Sequence, residues 1–190
     1  MRKMFFFVLA SAALSLMVPA QNAQAQSETP KVEVGAHYTR LSLRDFGTTD
    51  HGVGARITLN VTDSLAVEGE VNFFPRGRDN LAAPTGFSGV SQRTQGLFGV
   101  KYGMRSERAG IFGKIRPGFM HFGENSLQFS FSPAIPTTTE FALDVGGVLE
   151  LYPTRRVAFR FDIGDAIIRF GGLGFTSHNL QITTGVAWRF

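Results

Sequence analysis

From about Val32 to Phe190, apolar and polar residues alternate with a period of two, broken at intervals by Gly, Pro, Asp, Ser and Thr. Successive side chains on a pleated backbone leave by opposite faces, so this period marks strands with one greasy and one polar side. In Val53 to Val61, the side chains of Val53, Ala55, Ile57, Leu59 and Val61 point one way, and Gly54, Arg56, Thr58 and Asn60 the other. The next segment sets Leu65, Val67, Val71 and Phe73 against Glu68, Glu70 and Asn72, after only Thr62-Asp63-Ser64, which predicts a tight hairpin. The same reading marks Val32 to Leu43, Thr94 to Arg105, Gly110 to Phe122, Glu140 to Tyr152, Val157 to Ile168 and Asn179 to Phe190. Eight strands are expected.

Their spans are close to the ~9–11 residues that a tilted strand needs to cross a bilayer core. The connections alternate in length. Short turns fall at Thr62 to Ser64, near Ser106 to Ala109 and at Pro153 to Arg156. Long ones fall at Arg44 to His51, Pro75 to Gln92, Gly123 to Thr139 and Arg169 to His178. Short turns at one end and long loops at the other are the pattern of an up-and-down antiparallel transmembrane barrel, with short periplasmic turns, long extracellular loops and both termini periplasmic. Unpaired backbone groups in hydrocarbon each cost several kcal/mol, so the first strand is expected to pair with the last.

A soluble barrel would show the same alternation with its apolar face inward. Bulk decides between the two: Phe73, Phe98, Phe119, Phe141, Phe159, Phe161, Trp188 and Phe190 are too much volume for so small a lumen, whereas lipid can receive them. The polar face then points inward. It gathers Arg56, Lys101, Lys114, Arg116, Arg160 and Arg189 with Glu68, Glu70, Asp144, Glu150 and Asp162, and charges in a side-chain-filled lumen must find partners. An interior charge network is the expectation.

Composition adds three points. Met1 to Ala25 reads as a cleaved signal peptide, with Arg2 and Lys3, an apolar run from Phe5 to Val18 that is too short for a membrane helix, and Ala23-Gln24-Ala25 as a cleavage site. No Cys follows that site, which argues against a lipid-anchored chain, and residues 26–190 are expected to form one barrel domain with no disulfide. The full chain carries a formal charge of +4, and losing Arg2 and Lys3 leaves it weakly basic with scattered charges, which argues against a nucleic-acid surface.

The last strand places Leu180, Ile182, Thr184, Val186, Trp188 and Phe190 outward and Gln181, Thr183, Gly185, Ala187 and Arg189 inward. It resembles the C-terminal strand of bacterial outer-membrane proteins. That resemblance implies that Trp188 and the terminal aromatic Phe190 form a signal read by the barrel-assembly machinery. The segments Leu65 to Phe74, Gln95 to Lys101, Arg116 to Phe119 and His178 to Phe190 together resemble the eight-stranded outer-membrane β-barrel family, the OmpA/OmpX-like, porin-like group. The resemblance implies a Gram-negative outer-membrane protein surrounded by outer-membrane lipids and working as a monomer. The cell-wall tethering of two-domain relatives is not expected. Pro117, which cannot donate to a ladder, and Asp165, on the lipid phase of its strand, suggest bulges or early strand ends.

Candidate chemistry is thin. Ser177-His178 with Glu140 or Asp144 has the residue types of a hydrolytic triad, but strand neighbours face opposite ways, and the lipid A deacylases keep their His and Ser on one face. His37, His51, His121 and His178 lie in separate elements without ligand spacing, so neither a metal site nor any cofactor is expected. Glu68 and Glu70 share a face but have Arg and Lys to pair with. Trp188, Tyr102 and Tyr152 read as an aromatic girdle near one end, with Phe73, Phe74, Phe119 and Phe122 near the other. Phe129 and Phe131, in the loop Gly123 to Thr139, could meet a partner. The resulting expectation is no enzyme, but a structural or surface-interaction barrel working through its extracellular loops. The alternative is a narrow channel for water, ions or very small solutes.

Overall fold

The computed structural model describes residues 29–44, 47–80, 88–123, 137–171 and 174–190. The expected signal peptide and Phe129 and Phe131 lie outside the described residues. Eight strands run in order: β1 (Val32–Leu43), β2 (Thr48–Asn60), β3 (Leu65–Asn80), β4 (Ser88–Arg105), β5 (Ala109–Phe122), β6 (Thr138–Thr154), β7 (Val157–Phe170) and β8 (Phe175–Arg189). Each pairs antiparallel with its neighbours and β8 pairs with β1, closing the barrel. The seam is completed beyond the ladder by Phe190, whose N–H donates to the Val32 carbonyl at 2.8 Å.

Following paired residues once around leads from Val32 to Leu59, Val67, Val100, Ile115, Val145, Asp165 and Leu180, and back to β1 at Ser42, ten residues from the start. This stagger tilts the strands and leaves a lumen that side chains fill. Exposure settles which face is inside. Phe98 is 65% exposed and Ile163 57%, whereas Glu68, Lys101 and Asp144 are 0%.

The strands are longer than a bilayer crossing requires, running from 12 residues in β1 to 18 in β4. The surplus lies at the end opposite the termini. Strand therefore takes up much of three expected long loops: Thr48 to His51 in the first, parts of Pro75 to Gln92, and Arg169, Phe170 and Phe175 to His178 in the last. In Thr48 to His51 and in Thr176 to Asn179 polar residues stand on both faces, so the alternation that reveals a half-buried strand fades there.

Pro117 and Asp165 correct the expectation of bulges. Register is unchanged on both sides of Pro117, which pairs with Leu143; towards β4 the ladder skips from Leu97–Gly118 to Val100–Ile115, where the missing N–H falls. The strands press together here, and a Cβ on Gly118 would overlap the Gly96 carbonyl oxygen. Asp165 pairs with Val145 and Leu180 without a break, and β7 runs on to Phe170. The register shifts come instead between Phe74 and Gly77 and between Leu151 and Thr154, stretches that contain Pro75 and Pro153.

Candidate functional site: the filled lumen

Alternation sends every second residue of each strand into the lumen, and the stagger stacks these residues in layers. In the middle lies a belt of five cations, Arg56, Lys101, Lys114, Arg116 and Arg160, with five carboxylates, Glu68, Glu70, Asp144, Glu150 and Asp162, all buried. The contacts cross the lumen as well as joining neighbouring strands. Arg56 on β2 donates to Glu70 on β3 and to Asp162 on β7, each at 2.7 Å. Arg160 on β7 reaches Glu68 on β3 through Nη2 at 2.8 Å. Arg116 on β5 donates from Nη1 to Glu70 at 2.6 Å and from Nε to Asp144 at 3.0 Å. Lys101 on β4 meets Glu150 on β6, and Lys114 Nζ lies 2.7 Å from Asp144. Equal numbers of opposite charges, most of them bridging two partners, are the arrangement in which buried ions become tolerable.

Towards the termini, Arg189 donates to Glu33 at 3.2 Å, and Arg105 donates to Asn60 at 2.9 Å and to the Tyr152 hydroxyl at 3.1 Å. Arg189 stacks 4.1 Å over the Tyr152 ring, and the Tyr152 hydroxyl donates to Glu150 at 2.6 Å. Tyr152 is therefore an interior residue and not part of a girdle. Trp188 and Tyr102 do face outward, and so does Phe190, 67% exposed.

On the other side of the belt lies a layer of amides and hydroxyls. His37 Nε2 donates to Asn72 Oδ1 at 2.6 Å, Asn72 donates to Gln95 at 2.9 Å, and Gln95 exchanges with Gln181 at 3.2 Å. Thr183 and Thr39 close this layer at 3.2 Å. Above it sits an apolar cap of Leu41, Leu43, Phe74, Leu97, Met120, Ala142, Ala166, Ile168 and Phe170, with Phe122 packed against it. An ion pair between Asp50 and Arg93 is buried near this cap. Phe74 and Phe122 thus turn inward, against their reading as girdle residues, while Phe73 and Phe119 face out.

The cap and the Asp50–Arg93 pair escaped the sequence reading, although a signal was present. Leu41 and Leu43 are in phase with Glu33 and His37, Phe74 with Glu68 and Glu70, Met120 with Lys114 and Arg116, and Ile168 with Arg160 and Asp162. Carrying the phase of the charged residues upward places all five inside. A cavity of about 20 Å³, bordered by Glu33, His37, Arg56, Thr58, Glu150 and Arg160, has room for roughly one water.

Ser177 is buried in the lumen whereas His178 is exposed outside, where its Nδ1 lies 2.6 Å from Asp165. The triad components are thus split across the wall. His51 bonds Tyr38, and His121 bonds Thr139 at 2.8 Å. Among the described residues, no group of His, Cys, Asp and Glu could hold a metal ion.

Residues 10–190 match the family model for the outer membrane protein beta-barrel domain. No curated protein sequence matches the chain. Among solved structures it is similar to the outer membrane protein OprG of Pseudomonas aeruginosa, at 14% identity over 87% of this chain and 98% of that one, with a TM-score of 0.57. It is also similar to the N-terminal beta-barrel domain of OprF from Pseudomonas aeruginosa, at 14% identity over 84% and 96%, with a TM-score of 0.55. A third similar structure is Ail, the attachment invasion locus protein of Yersinia pestis, at 14% identity over 84% and 96%, with a TM-score of 0.52. At these identities the likeness is one of fold.

Proposed function

We propose, for a chain that belongs to the outer membrane protein β-barrel domain family and resides in the cell outer membrane, that the barrel is a sealed, internally braced scaffold. Its contacts with the surroundings are made by the connections at the end opposite the termini, above all those between β3 and β4 and between β5 and β6. It works as a monomer embedded in outer-membrane lipid, placed there by the barrel-assembly machinery through the strand that ends in Trp188 and Phe190. It performs no catalysis.

The observation that carries the sealed lumen is the succession of layers. A solute entering from the outer end meets Leu41, Phe74, Met120 and Ile168, each 0% exposed. Beneath them Asn72, Gln95 and Gln181 are bonded to one another across the lumen. Below these comes the belt, in which Arg56–Asp162, Arg160–Glu68 and Arg116–Glu70 bridge strands that are not neighbours. A narrow channel would need a continuous path with charges along one side, whereas here the charges pair across the lumen and the cavity by His37 has room for about one water. The belt also braces the wall, since each cross-lumen pair ties together strands that share no ladder.

Ion conductance of the folded barrel in planar bilayers tests this reading. Silence, with heat-dependent gel mobility confirming the fold, is expected. Steady, reproducible single-channel steps would replace the scaffold with a small pore.

A further inference from the structure

The outer face carries one feature that the sealed barrel does not use. Beneath Arg40, on the seam where β8, β1 and β2 meet, the surface carries a shallow open groove. Its floor is low: Ala36 faces out on β1, and beside it run the backbones of Gly54 and Gly185, whose own Cα substituents face the lumen. Tyr38, Val53, Val186 and Phe159 form its walls, all exposed and, apart from the phenol oxygen, apolar. It is an open, shallow groove, and it faces the bilayer.

The groove has a polar upper end. Arg40 projects from the outer face two residues beyond Tyr38, paired with His51 on one side and Ile182 on the other. It is exposed, and no carboxylate among the described residues pairs with it. Tyr38 and His51 are stacked, ring centroids 5.9 Å apart at 27°, and the phenol is bonded to Nδ1. With the phenol donating, Nε2 carries the ring proton and is left as a donor beside Arg40. The charged groups on neighbouring strands do not compete. Asp165 is already engaged by His178 and by the Asn179 N–H at 3.0 Å, and Arg169 lies farther along β7, opposite Thr176.

An unpaired guanidinium at the boundary of an apolar belt, directly above an apolar groove, is complementary to an amphiphile with an anionic head and a hydrocarbon tail. We infer that the groove on the β8–β1–β2 face binds one acylated, phosphorylated lipid of the outer leaflet, with a phosphate on Arg40 and His51 and an acyl chain along Ala36 between Tyr38, Val53 and Val186. Arg40 supplies two parallel donors to the phosphate, and His51, held by Tyr38, supplies a third. The groove takes a flexible chain because its floor is backbone and Cβ, so no side chain has to move.

Native mass spectrometry of the full barrel purified from outer membranes reads this out, with bisphosphorylated lipid A and its fully dephosphorylated form as probes. The wild-type barrel should retain one lipid A and prefer it over the dephosphorylated lipid by about tenfold or more, the scale of one lost charge-assisted contact. Arg40→Gln should abolish that preference, Arg40→Lys should keep part of it, and Ala36→Leu, which fills the groove, should weaken both lipids alike. Arg169→Gln, at an outward arginine on β7, should change nothing. Heat-dependent gel mobility checks that each variant is folded. Equal retention of the two lipids by the wild-type barrel would overturn the inference, as would a preference that survives Arg40→Gln. A stable two-barrel species lost on Ala36→Leu would also overturn it, since a second copy would then fill the groove.

Discussion

Replacing Glu68 with Gln removes one negative charge from the belt with almost no change of shape. Glu68 is 0% exposed, accepts from Arg160 at 2.8 Å and from Thr58 at 3.2 Å, and lies 3.5 Å from both Lys101 and Arg116. Five carboxylates balance five cations in the wild-type belt, so Glu68→Gln leaves one buried positive charge without a counterion. At an effective dielectric near 20, a unit pair ~4 Å apart is worth about 4 kcal/mol, and measured losses of one partner from a buried pair run about 3–5 kcal/mol. Glu68→Gln should therefore lower stability by about 3–5 kcal/mol. At a urea slope of about 1–3 kcal/mol/M, the unfolding midpoint in detergent or lipid vesicles drops by at least ~1 M. Arg160→Gln should cost a similar amount, because it takes one partner at once from Glu68, Glu150 and Asp162 and leaves the belt one cation short. The double variant restores the balance, so its loss should fall short of the sum of the single losses by about 1–3 kcal/mol. A Glu68→Gln loss under about 1 kcal/mol, or additive losses, would refute the claim that the belt acts as one neutral network.

Other positions give further expected outcomes. Phe74→Ala, in the cap, should destabilise the barrel by about 3–5 kcal/mol in the same urea titration yet leave planar bilayers silent, because the amide layer and the belt lie below. Tyr152→Phe removes the donor to Glu150 and the acceptor for Arg105, and should cost about 1–3 kcal/mol by urea midpoint. Gly118→Val should prevent refolding, seen as loss of heat-shifted gel mobility, since its side chain would meet the Gly96 carbonyl. Deleting Phe190 should reduce the folded barrel recovered from outer membranes far more than it shifts the urea midpoint of refolded protein, since Phe190 is 67% exposed and adds only its seam hydrogen bonds to the fold.

The membrane-spanning part of the fold was legible because two demands coincide there. Lipid outside and a packed lumen inside force strict alternation, and Val53 to Val61 shows it without exception. The partners of individual charges were not legible. Which carboxylate meets Arg116 depends on the ten-residue stagger, which no single strand encodes. Beyond the apolar belt the coincidence ends. Thr48 to His51 and Pro75 to Asn80 continue as strand where no lipid demands an apolar face, so the sequence reading stopped them early. Phe74 and Phe122 misled for the opposite reason: they are apolar where the lower lumen is charged, and an aromatic residue near a strand end reads as a girdle unless its phase is counted. Tyr152 shows the limit of residue type as a guide, because its phase with Asp144 and Glu150 places it inside, where its hydroxyl donates to Glu150.

Water permeability is the most direct test of a sealed lumen, because water passes gaps that ions cannot. Proteoliposomes carrying the folded barrel, shrunk by an osmotic step and followed by stopped-flow light scattering, should shrink at the rate of protein-free vesicles. Faster shrinkage that rises with the number of folded barrels per vesicle would contradict the account, showing a continuous water path through the layers from Ile168 to Glu33.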